Sequence, residues 1–498
     1  MKSNQFLILI ITLISSVSNT QNAKTDSIDA FISKTLNKFK EVPSLTITVV
    51  KDNESLFTKA YGYTDVEKKV KATTTSSYYV ASVTKSFVGL LAAELENQGI
   101  LDLNKPITEY APIKDFKDKT IFKGITITDL LSHTSGINNV FFTWRFASIG
   151  DYTKQDMIHV LEEKTESVKN DKAFRYDNFG YNVFDLILSQ EFGLNWKILL
   201  QERIFNPLQM THASAYLSEA KKKNWNLAQP YTSINDEGLP TLAMTQKDDQ
   251  TFQAAGGILM SIEDMQQWLI MNMNNGSINN IQVFDKKVIE KTHSSISNVE
   301  QKGSIFNDKT YGLGWRNAEF GEHKALYHFG GFDGYFSHMS FLPEENIGIA
   351  VFVNESHFGD NVANLIASYV YDILLGKINQ TSDYDEKTSE VAEKIQSTQN
   401  RFKEDRQKRS DRQWTLTYDF KHYAGDYENK YAGIIHIEPY NESLKANLGI
   451  STAIASPSTK DDSIRVEFRD GQGSDILFIS NEKETVAAVY GGYVYFRK

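Results

Sequence analysis

Serine and lysine three positions apart, in the stretch Ser82-Val83-Thr84-Lys85, form the first pattern that could do chemistry. Residues i and i+3 lie on one face of a helix, so the hydroxyl and the amine are neighbours if this segment is helical. A serine hydroxyl attacks a carbonyl carbon only when a nearby base takes its proton. Lys85 can be that base if burial and the positive end of the helix dipole lower its pKa.

The stretch Tyr176-Asp177-Asn178 supplies two further side chains suited to the same chemistry. A tyrosine near the serine could relay its proton or protonate a leaving group, and the Asn178 amide could hold a substrate carbonyl. We expect Tyr176 to open a helix inside a largely helical region.

The stretch His328-Phe329-Gly330 ends an inferred strand and is followed by Gly331 and Gly334. Glycines at such a position would let a substrate approach the backbone closely. The sequence therefore predicts that His328, Gly330 and Gly331 line a binding site.

Each of the three patterns recurs elsewhere in the chain, so their context has to separate them. Ser82 lies where a strand leads into a long amphipathic helix, whereas the other copies lie in polar loops or between β-like segments. These copies, for which we expect no catalytic role, are Ser218/Lys221, Ser480/Lys483, Tyr427/Asn429 and His357.

Several elements must position these residues. Apolar residues at helical spacing predict a helix from near Ser82 to near Gln98, after a β-hairpin that begins near Ser44. Residues 125–300 have a mostly helical pattern, and strand character returns in YGLGW at 311–315 and in three later segments up to Asn354. We therefore predict an α/β sandwich whose antiparallel sheet is built from both ends of the domain, with a helical subdomain inserted.

The 498 residues exceed one ordinary domain. Residues 1–22 have the pattern of a secretory signal peptide, with an uncleaved membrane anchor as the alternative. We assign 27–376 to the main domain, 377–413 to a charged linker and 414–498 to an all-β meander or barrel. The protein is expected to be exported, either to a periplasm or as a secreted protein, without stable membrane insertion.

Composition excludes several classes of function. The chain has no cysteine, which rules out disulfides, a thiol nucleophile and thiolate metal sites. The net charge of −10 and the lack of a basic stripe argue against nucleic acid as a partner. His323, His328 and His338 have no accompanying carboxylate pattern, so we expect no metal site.

The ordered set Ser82/Lys85, Tyr176/Asn178 and His328/Gly330 resembles the class C β-lactamase-related family, which includes DD-peptidases, D-aminopeptidases and serine esterases. The resemblance covers about residues 30–375, and a weaker one links residues 415–498 to the small β-barrel module often appended to such proteins. Further stretches match: SHTSG at 132–136, NPLQMT at 206–211, AAGGILMS at 254–261 and YGLGW at 311–315.

The resemblance implies that Ser82 forms an ester with an acyl group and that no metal or cofactor is needed. It implies that Lys85 and Tyr176 share the proton transfers, and it leaves open which of them is the base. It also implies an oxyanion hole made by the backbone N–H groups of Ser82 and Gly331.

Departures from the family pattern narrow the expected substrate. True β-lactamases of this class have Lys-Thr-Gly where this chain has His328-Phe329-Gly330, and Gly331 lacks the hydroxyl that often grips a substrate carboxylate. Asp177 replaces the more usual small residue. We expect a small-molecule or peptide substrate with an ester or amide bond. The alternatives are a weak β-lactamase and a catalytically idle protein that binds cell-wall peptides.

Overall fold

The computed structural model describes residues 22–168, 172–245 and 247–498. The predicted signal peptide lies outside the described residues, apart from its last position. Among the described residues, no helix is both long and apolar enough to cross a bilayer.

The main domain is organised around an antiparallel sheet that joins both ends of the domain. Strand Ser44–Lys51 pairs with Glu54–Asp65 on one side and with Ile347–Val353 on the other. Within the described residues this sheet has nine strands, in spatial order Ser297–Asn298, Asn307–Tyr311, Arg316–Phe320, His323–Phe332, Tyr335–Leu342, Ile347–Val353, Ser44–Lys51, Glu54–Asp65 and Val70–Lys71. The predicted α/β sandwich is confirmed.

Helices cover both faces of this sheet. Alternate residues of strand Ser44–Lys51 pack against the helix at 22–38 and helix Gly359–Leu374. On the opposite face, helix Ile262–Met273 packs against the sheet, and helix Thr84–Asn97 packs on that helix, with the rings of Phe87 and Trp268 stacked 3.8 Å apart. Because both faces are covered, strand Ile347–Val353 is buried along its whole length and is apolar at almost every position.

The helix predicted from near Ser82 to near Gln98 agrees with helix Thr84–Asn97 to within about two residues. The α-helices of the described residues are those at 22–38, Thr84–Asn97, Ile127–Leu131, Val140–Trp144, Lys154–Lys164, Phe179–Glu191, Trp196–Leu200, Leu217–Lys222, Ile262–Met273, Lys286–His293, Gly359–Leu374, Asp385–Ser410 and Phe420–Tyr423. Helix Thr84–Asn97 ends at Gly99, which has a φ of 71° and follows the usual left-handed termination of helices.

Short paired strands brace the helical region. These pairs are Ser77–Tyr79 with Leu259–Ser261, Ile137–Asn138 with Glu166–Ser167, Tyr231–Thr232 with Thr241–Leu242, and Ser277–Ile278 with Ile281–Gln282. The first pair places the chain just before Ser82 beside the segment that follows Ala255.

The C-terminal residues form a nearly closed barrel. Within residues 425–497 nine antiparallel strands follow one another around it in chain order, and the last pairs with the first: Gly425–Asn429, Gly433–Tyr440, Ser443–Leu448, Ser451–Ile454, Ser456–Pro457, Ser463–Glu467, Gly473–Ser480, Thr485–Tyr490 and Tyr493–Arg497. The prediction of an all-β meander or barrel is confirmed. Helix Asp385–Ser410 occupies most of the span predicted as a charged linker.

The interpretation of YGLGW at 311–315 as a strand was wrong. Strand Asn307–Tyr311 ends there, and residues 312–315 form the connection to strand Arg316–Phe320. Gly314 has a φ of 82°, and a Cβ there would lie 2.2 Å from the carbonyl oxygen of Lys85. Alternating apolar residues suggested a strand, but the glycines serve a tight loop that packs on the Ser82 helix.

Candidate active site

Ser82 lies in a tight turn, Ala81–Val83, that leads directly into helix Thr84–Asn97. Ala81 has a φ of 47°, a left-handed conformation that costs an L-residue about 1–2 kcal/mol. Ala81 and Val83 are buried, whereas Ser82 between them keeps intermediate exposure. The turn therefore presents a serine at the start of a helix, where backbone N–H groups lack partners within the helix.

Lys85 is fully buried, and its Nζ has three acceptors at hydrogen-bond distance. It donates to Ser82 Oγ at 3.0 Å, to Asn178 Oδ1 at 2.7 Å and to the carbonyl oxygen of Ala255 at 2.8 Å. Ser82 and Lys85, which the spacing predicts to be neighbours, are thus in direct contact. Three acceptors match the three N–H bonds of an ammonium group.

Burial lowers the pKa of Lys85 to about 7, because the charged form loses its hydration. The nearby Asp177 carboxylate raises this pKa and the Arg316 guanidinium lowers it further. Both charge states of Lys85 are therefore well populated at neutral pH.

Tyr176 borders the same site, in the chain just before helix Phe179–Glu191. Lys85 Nζ lies 5.0 Å from the centre of the Tyr176 ring, and the residue as a whole keeps 39% of its surface exposed. Loss of hydration around its phenol group, inside the site, raises the pKa of Tyr176 to about 12, although hydrogen bonding with Ser82 acts in the opposite direction. Its phenol is therefore neutral at physiological pH.

Asp177 and Asn178 occupy the N-terminal end of helix Phe179–Glu191. Asn178 uses its side-chain oxygen for Lys85, and Asp177 Oδ1 accepts a hydrogen bond of 3.1 Å from the Gly180 backbone N–H. Burial raises the pKa of Asp177 to about 6, and its backbone hydrogen bonds and Lys85 oppose that rise. Asp177 therefore caps the helix and adds negative charge near Lys85.

His328 is buried, and both of its ring nitrogens have partners within the protein. Nδ1 lies 2.7 Å from the Phe329 carbonyl oxygen, so it carries the proton, and Nε2 then accepts from the Tyr311 hydroxyl at 3.1 Å. Burial first, and then the charges of Lys85 and Arg316, lower the pKa of His328 well below its usual value. His328 is thus a neutral residue 6.0 Å, ring to ring, from Tyr176.

Gly330 and Gly331 continue the same strand past Ser82, in very different surroundings. A Cβ on Gly330 would lie 2.0 Å from the Val80 carbonyl oxygen, whereas a Cβ on Gly331 would meet no atom within 4 Å. Strand His323–Phe332 pairs with Arg316–Phe320 only up to Tyr327. Its end therefore runs beside the Ser82 turn and faces open space at Gly331.

The second copies of each pattern lie elsewhere, as expected. Ser218 donates to Asp249, Tyr427 donates to Tyr423 inside the barrel, and Ser480 lies in a barrel strand. His357 contacts Thr232 and the ring of Phe402.

Three contributors to the site were not identified as such from the sequence. The Ala255 carbonyl carries no sequence signal, because every residue has one. Arg316 lies 5.6 Å from the Tyr176 ring centre and pairs with Asp308. His133 packs its ring 4.6 Å from that of Tyr176. Only the fold brings these three segments together.

Within the described residues, no group of three or more histidine, aspartate or glutamate side chains is arranged to hold a metal ion.

Two relatives match about two thirds of this chain or more. The chain is 26% identical over 333 residues to Protein flp of Staphylococcus aureus, covering 67% of this chain and 64% of that protein. It therefore spans less than two thirds of the length of that relative. It is 25% identical over 350 residues to the putative penicillin-binding protein PbpX of Bacillus subtilis, covering 70% and 76% of the two chains.

Solved structures share the fold. The octameric penicillin-binding protein homologue from Pyrococcus abyssi matches with a TM-score of 0.62 and 22% identity, covering 94% of this chain and 99% of that one. D-amino acid amidase from Ochrobactrum anthropi, complexed with L-phenylalanine amide, matches with a TM-score of 0.57 and 21% identity, covering 72% and 99%.

The model of the beta-lactamase family matches residues 32–369, which include the Ser82 turn, Tyr176 and the His328–Gly331 strand. Members of this fold family are serine hydrolases. The match spans more than half of the chain and coincides with the sheet and helices that assemble the site. This protein belongs to the beta-lactamase family.

Proposed function

We propose that the protein is an exported serine hydrolase that cleaves an ester or amide bond through an acyl-enzyme on Ser82. The observation that carries this proposal is the buried Lys85 amine, 3.0 Å from the Ser82 hydroxyl, with a pKa of about 7. A base with a pKa near the working pH is the most effective one for removing a hydroxyl proton.

In the first step, neutral Lys85 takes the Ser82 proton while Oγ attacks the carbonyl carbon. Neutral Lys85 can still donate to Asn178 and Ala255 while its lone pair accepts from Ser82, so the proton transfer keeps the other two contacts. Tyr176, with a pKa of about 12, would act as a proton relay to the leaving group and not as the base. Water then releases the acyl group by the same steps in reverse.

The developing oxyanion would be held by the backbone N–H groups of Ser82 and Gly331. Two features support this assignment: Ser82 starts a helix, and the position of Gly331 is open to a substrate. The close contact between Gly330 and Val80 fixes the strand against the turn.

The substrate we propose is an ester, or a peptide-like amide whose binding does not depend on a carboxylate group. Gly331 has no hydroxyl to offer a carboxylate, and the charge of Arg316 is already matched by Asp308. His328 is neutral where β-lactamases of this class have a lysine, which makes β-lactams the less favoured substrates.

Intact-mass spectrometry after exposure to p-nitrophenyl acetate and, separately, to a penicillin tests this function. We expect a transient acetyl adduct with steady release of nitrophenol. Both should be lost in Ser82→Ala, with a fall in rate of at least about a thousandfold. Ser218→Ala, which removes the serine of another Ser-x-x-Lys pattern, is the matched control and should behave as the parent protein.

The outcomes separate the alternatives. A stable penicillin adduct without turnover would indicate a penicillin-binding peptidase, and rapid penicillin hydrolysis would indicate a β-lactamase. If neither probe nor peptide esters modify Ser82, the hydrolase proposal fails and the idle binding protein becomes the better explanation.

A further inference from the structure

A two-residue turn, Asp333–Gly334, directly follows the strand that carries His328 to Gly331. Phe332 and Tyr335 form the last pair of the hairpin, and Gly334 has a φ of 85°. Asp333 is only 8% exposed. This end of strand His323–Phe332 has no strand partner on the side of Ser82. The turn can therefore set the position of the strand end.

A side chain of the C-terminal barrel forms an ion pair with this turn. Arg469, which follows barrel strand Ser463–Glu467, donates from Nε to Asp333 Oδ2 and from Nη2 to Oδ1, both at 2.7 Å. Thr245 donates a third hydrogen bond of 2.5 Å to Asp333. A fork-to-fork pair of this kind fixes both the position and the orientation of a carboxylate.

The neighbouring Phe332 is contacted by a second basic side chain. Lys247 Nζ lies 3.8 Å from the centre of the Phe332 ring and donates to the Ala147 carbonyl. Lys247 belongs to the chain segment that runs on to Ala255, whose carbonyl accepts from Lys85. The turn thus lies between the barrel and the segment that supports the proposed base.

We propose that Arg469 is a positioning residue through which the C-terminal barrel sets the Gly330–Gly331 backbone beside Ser82. This inference rests on the proposed function. Without the guanidinium, a buried Asp333 carboxylate keeps Thr245 as its hydrogen-bond donor and has lost both bonds from the barrel. We expect the turn to open toward water and to shift the Gly331 N–H, and a misplacement of about 1 Å can cost up to about a hundredfold in rate.

Single-turnover acylation of Ser82 by p-nitrophenyl acetate tests the effect on chemistry. In Arg469→Ala we expect the saturating acylation rate to fall about tenfold with KM changed less than about twofold, since donor placement and not ground-state binding is altered. Added methylguanidinium should restore part of the rate, which a general loss of stability would not allow. Arg469→Lys keeps the positive charge but loses the two-pronged guanidinium, so its acylation rate should lie between those of the parent protein and Arg469→Ala. This variant replaces Arg469→Ala in the test if Arg469→Ala does not fold.

Lys430→Ala is the matched control. Lys430 in the barrel forms a salt bridge of 3.0 Å with Glu163 in the main domain. In the sequence, Lys430 is distant from Arg469 and Glu163 is distant from Asp333. Acylation in this variant should match that of the parent protein.

Hydrogen–deuterium exchange of peptides covering 326–336 needs no substrate and so separates the two proposals. Faster exchange in Arg469→Ala than in the parent and in Lys430→Ala is the expected result, even if Ser82 is never acylated and the proposed function fails. Unchanged exchange would overturn the inference, and so would an unchanged acylation rate in a parent protein that does acylate.

Discussion

At the scale of single residues, Lys85 decides what the site can do. Its amine has the Ser82 hydroxyl, the Asn178 amide and the Ala255 carbonyl as partners, and none of these is an anion. Hydrogen bonds and the nearby Asp177 carboxylate stabilise the charged form, while burial opposes it and has the larger effect. A lysine in such surroundings gives up its proton far more easily than a lysine on the surface.

The pH dependence of acylation follows from the lowered pKa of Lys85. Since only the neutral amine accepts the Ser82 proton, the rate should rise with pH through a midpoint near 7 and level off above it. Ester turnover measured from acid to mildly alkaline pH checks this. Lys85→Arg keeps a permanent charge and should lower the rate by about a hundredfold or more, with no midpoint near 7.

Tyr176→Phe provides the control for this profile. It keeps the ring over Lys85 and removes the hydroxyl, so the rate should fall while the midpoint stays near 7. A parent profile that is still rising at strongly alkaline pH would instead identify Tyr176, with its pKa of about 12, as the base.

At the scale of elements, glycines allow the Ser82 helix to fit between its neighbours. A Cβ on Gly89 would lie 2.2 Å from the Leu313 carbonyl oxygen, and Gly314 approaches Lys85 as closely. On the side of the strand, a Cβ on Gly330 would lie 2.0 Å from the Val80 carbonyl oxygen. The helix is therefore held by backbone contacts on two sides, which leaves little freedom to the turn that carries Ser82.

Two adjacent glycines of the strand allow a matched test of this packing. Gly330→Ala should lower the free energy of unfolding by about 3 kcal/mol, near the upper end of overpacking costs, because its Cβ meets a carbonyl oxygen. Gly331→Ala, with open space at its Cβ, should change it by less than about 0.5 kcal/mol. Denaturant unfolding of both variants measures the difference, and equal losses would contradict this account of the strand.

The sequence predicted best those elements whose signal is local. The apolar period of the Ser82 helix and the turn between the strands at 335–342 and 347–353 needed no knowledge of distant residues. Barrel strand Gly425–Asn429 has a single apolar side chain, Tyr427, so its own composition gives little sign of a strand.

Within the site, prediction failed where partners come from distant parts of the chain. The spacing of Ser82 and Lys85 is enough to place them together, and the family pattern joined Tyr176 and His328, already candidates by residue type, to the same site. No pattern could show that Ala255 offers its carbonyl to Lys85, since that contact depends on the register of two short strands. The domain limits and the roles of the site residues stay predictions.

At the scale of the whole molecule, the barrel and the main domain share a close interface. Gly449 of the barrel packs against Ile149, and the backbone N–H of Ile450 donates to the Ile149 carbonyl at 3.1 Å. The rings of Phe141 and Tyr493 lie 4.1 Å apart across the same boundary.

Two barrel glycines separate interface packing from backbone strain. Gly449 and Gly492 both have positive φ, but a Cβ would lie 2.0 Å from the Ile149 carbonyl oxygen at Gly449 and in open space at Gly492. Alanine at either position should lower the free energy of unfolding by about 1 kcal/mol, because alanine is strained at positive φ. At Gly449, overpacking should lower it by about 1–3 kcal/mol more. Thermal unfolding of both variants measures this added loss, and equal midpoints would show that the interface yields without cost.

The connection of the central sheet has a consequence for synthesis. Its strand Ser44–Lys51 pairs with Ile347–Val353, and barrel strand Gly425–Asn429 pairs with Tyr493–Arg497, so in each case the partner is made much later than the first strand. Closing such long loops precedes the contacts that reward it, which slows folding. During synthesis the central sheet therefore stays incomplete until Ile347–Val353 has emerged, and the barrel stays open until Tyr493–Arg497 has emerged, so apolar strand surface is exposed to aggregation in each interval.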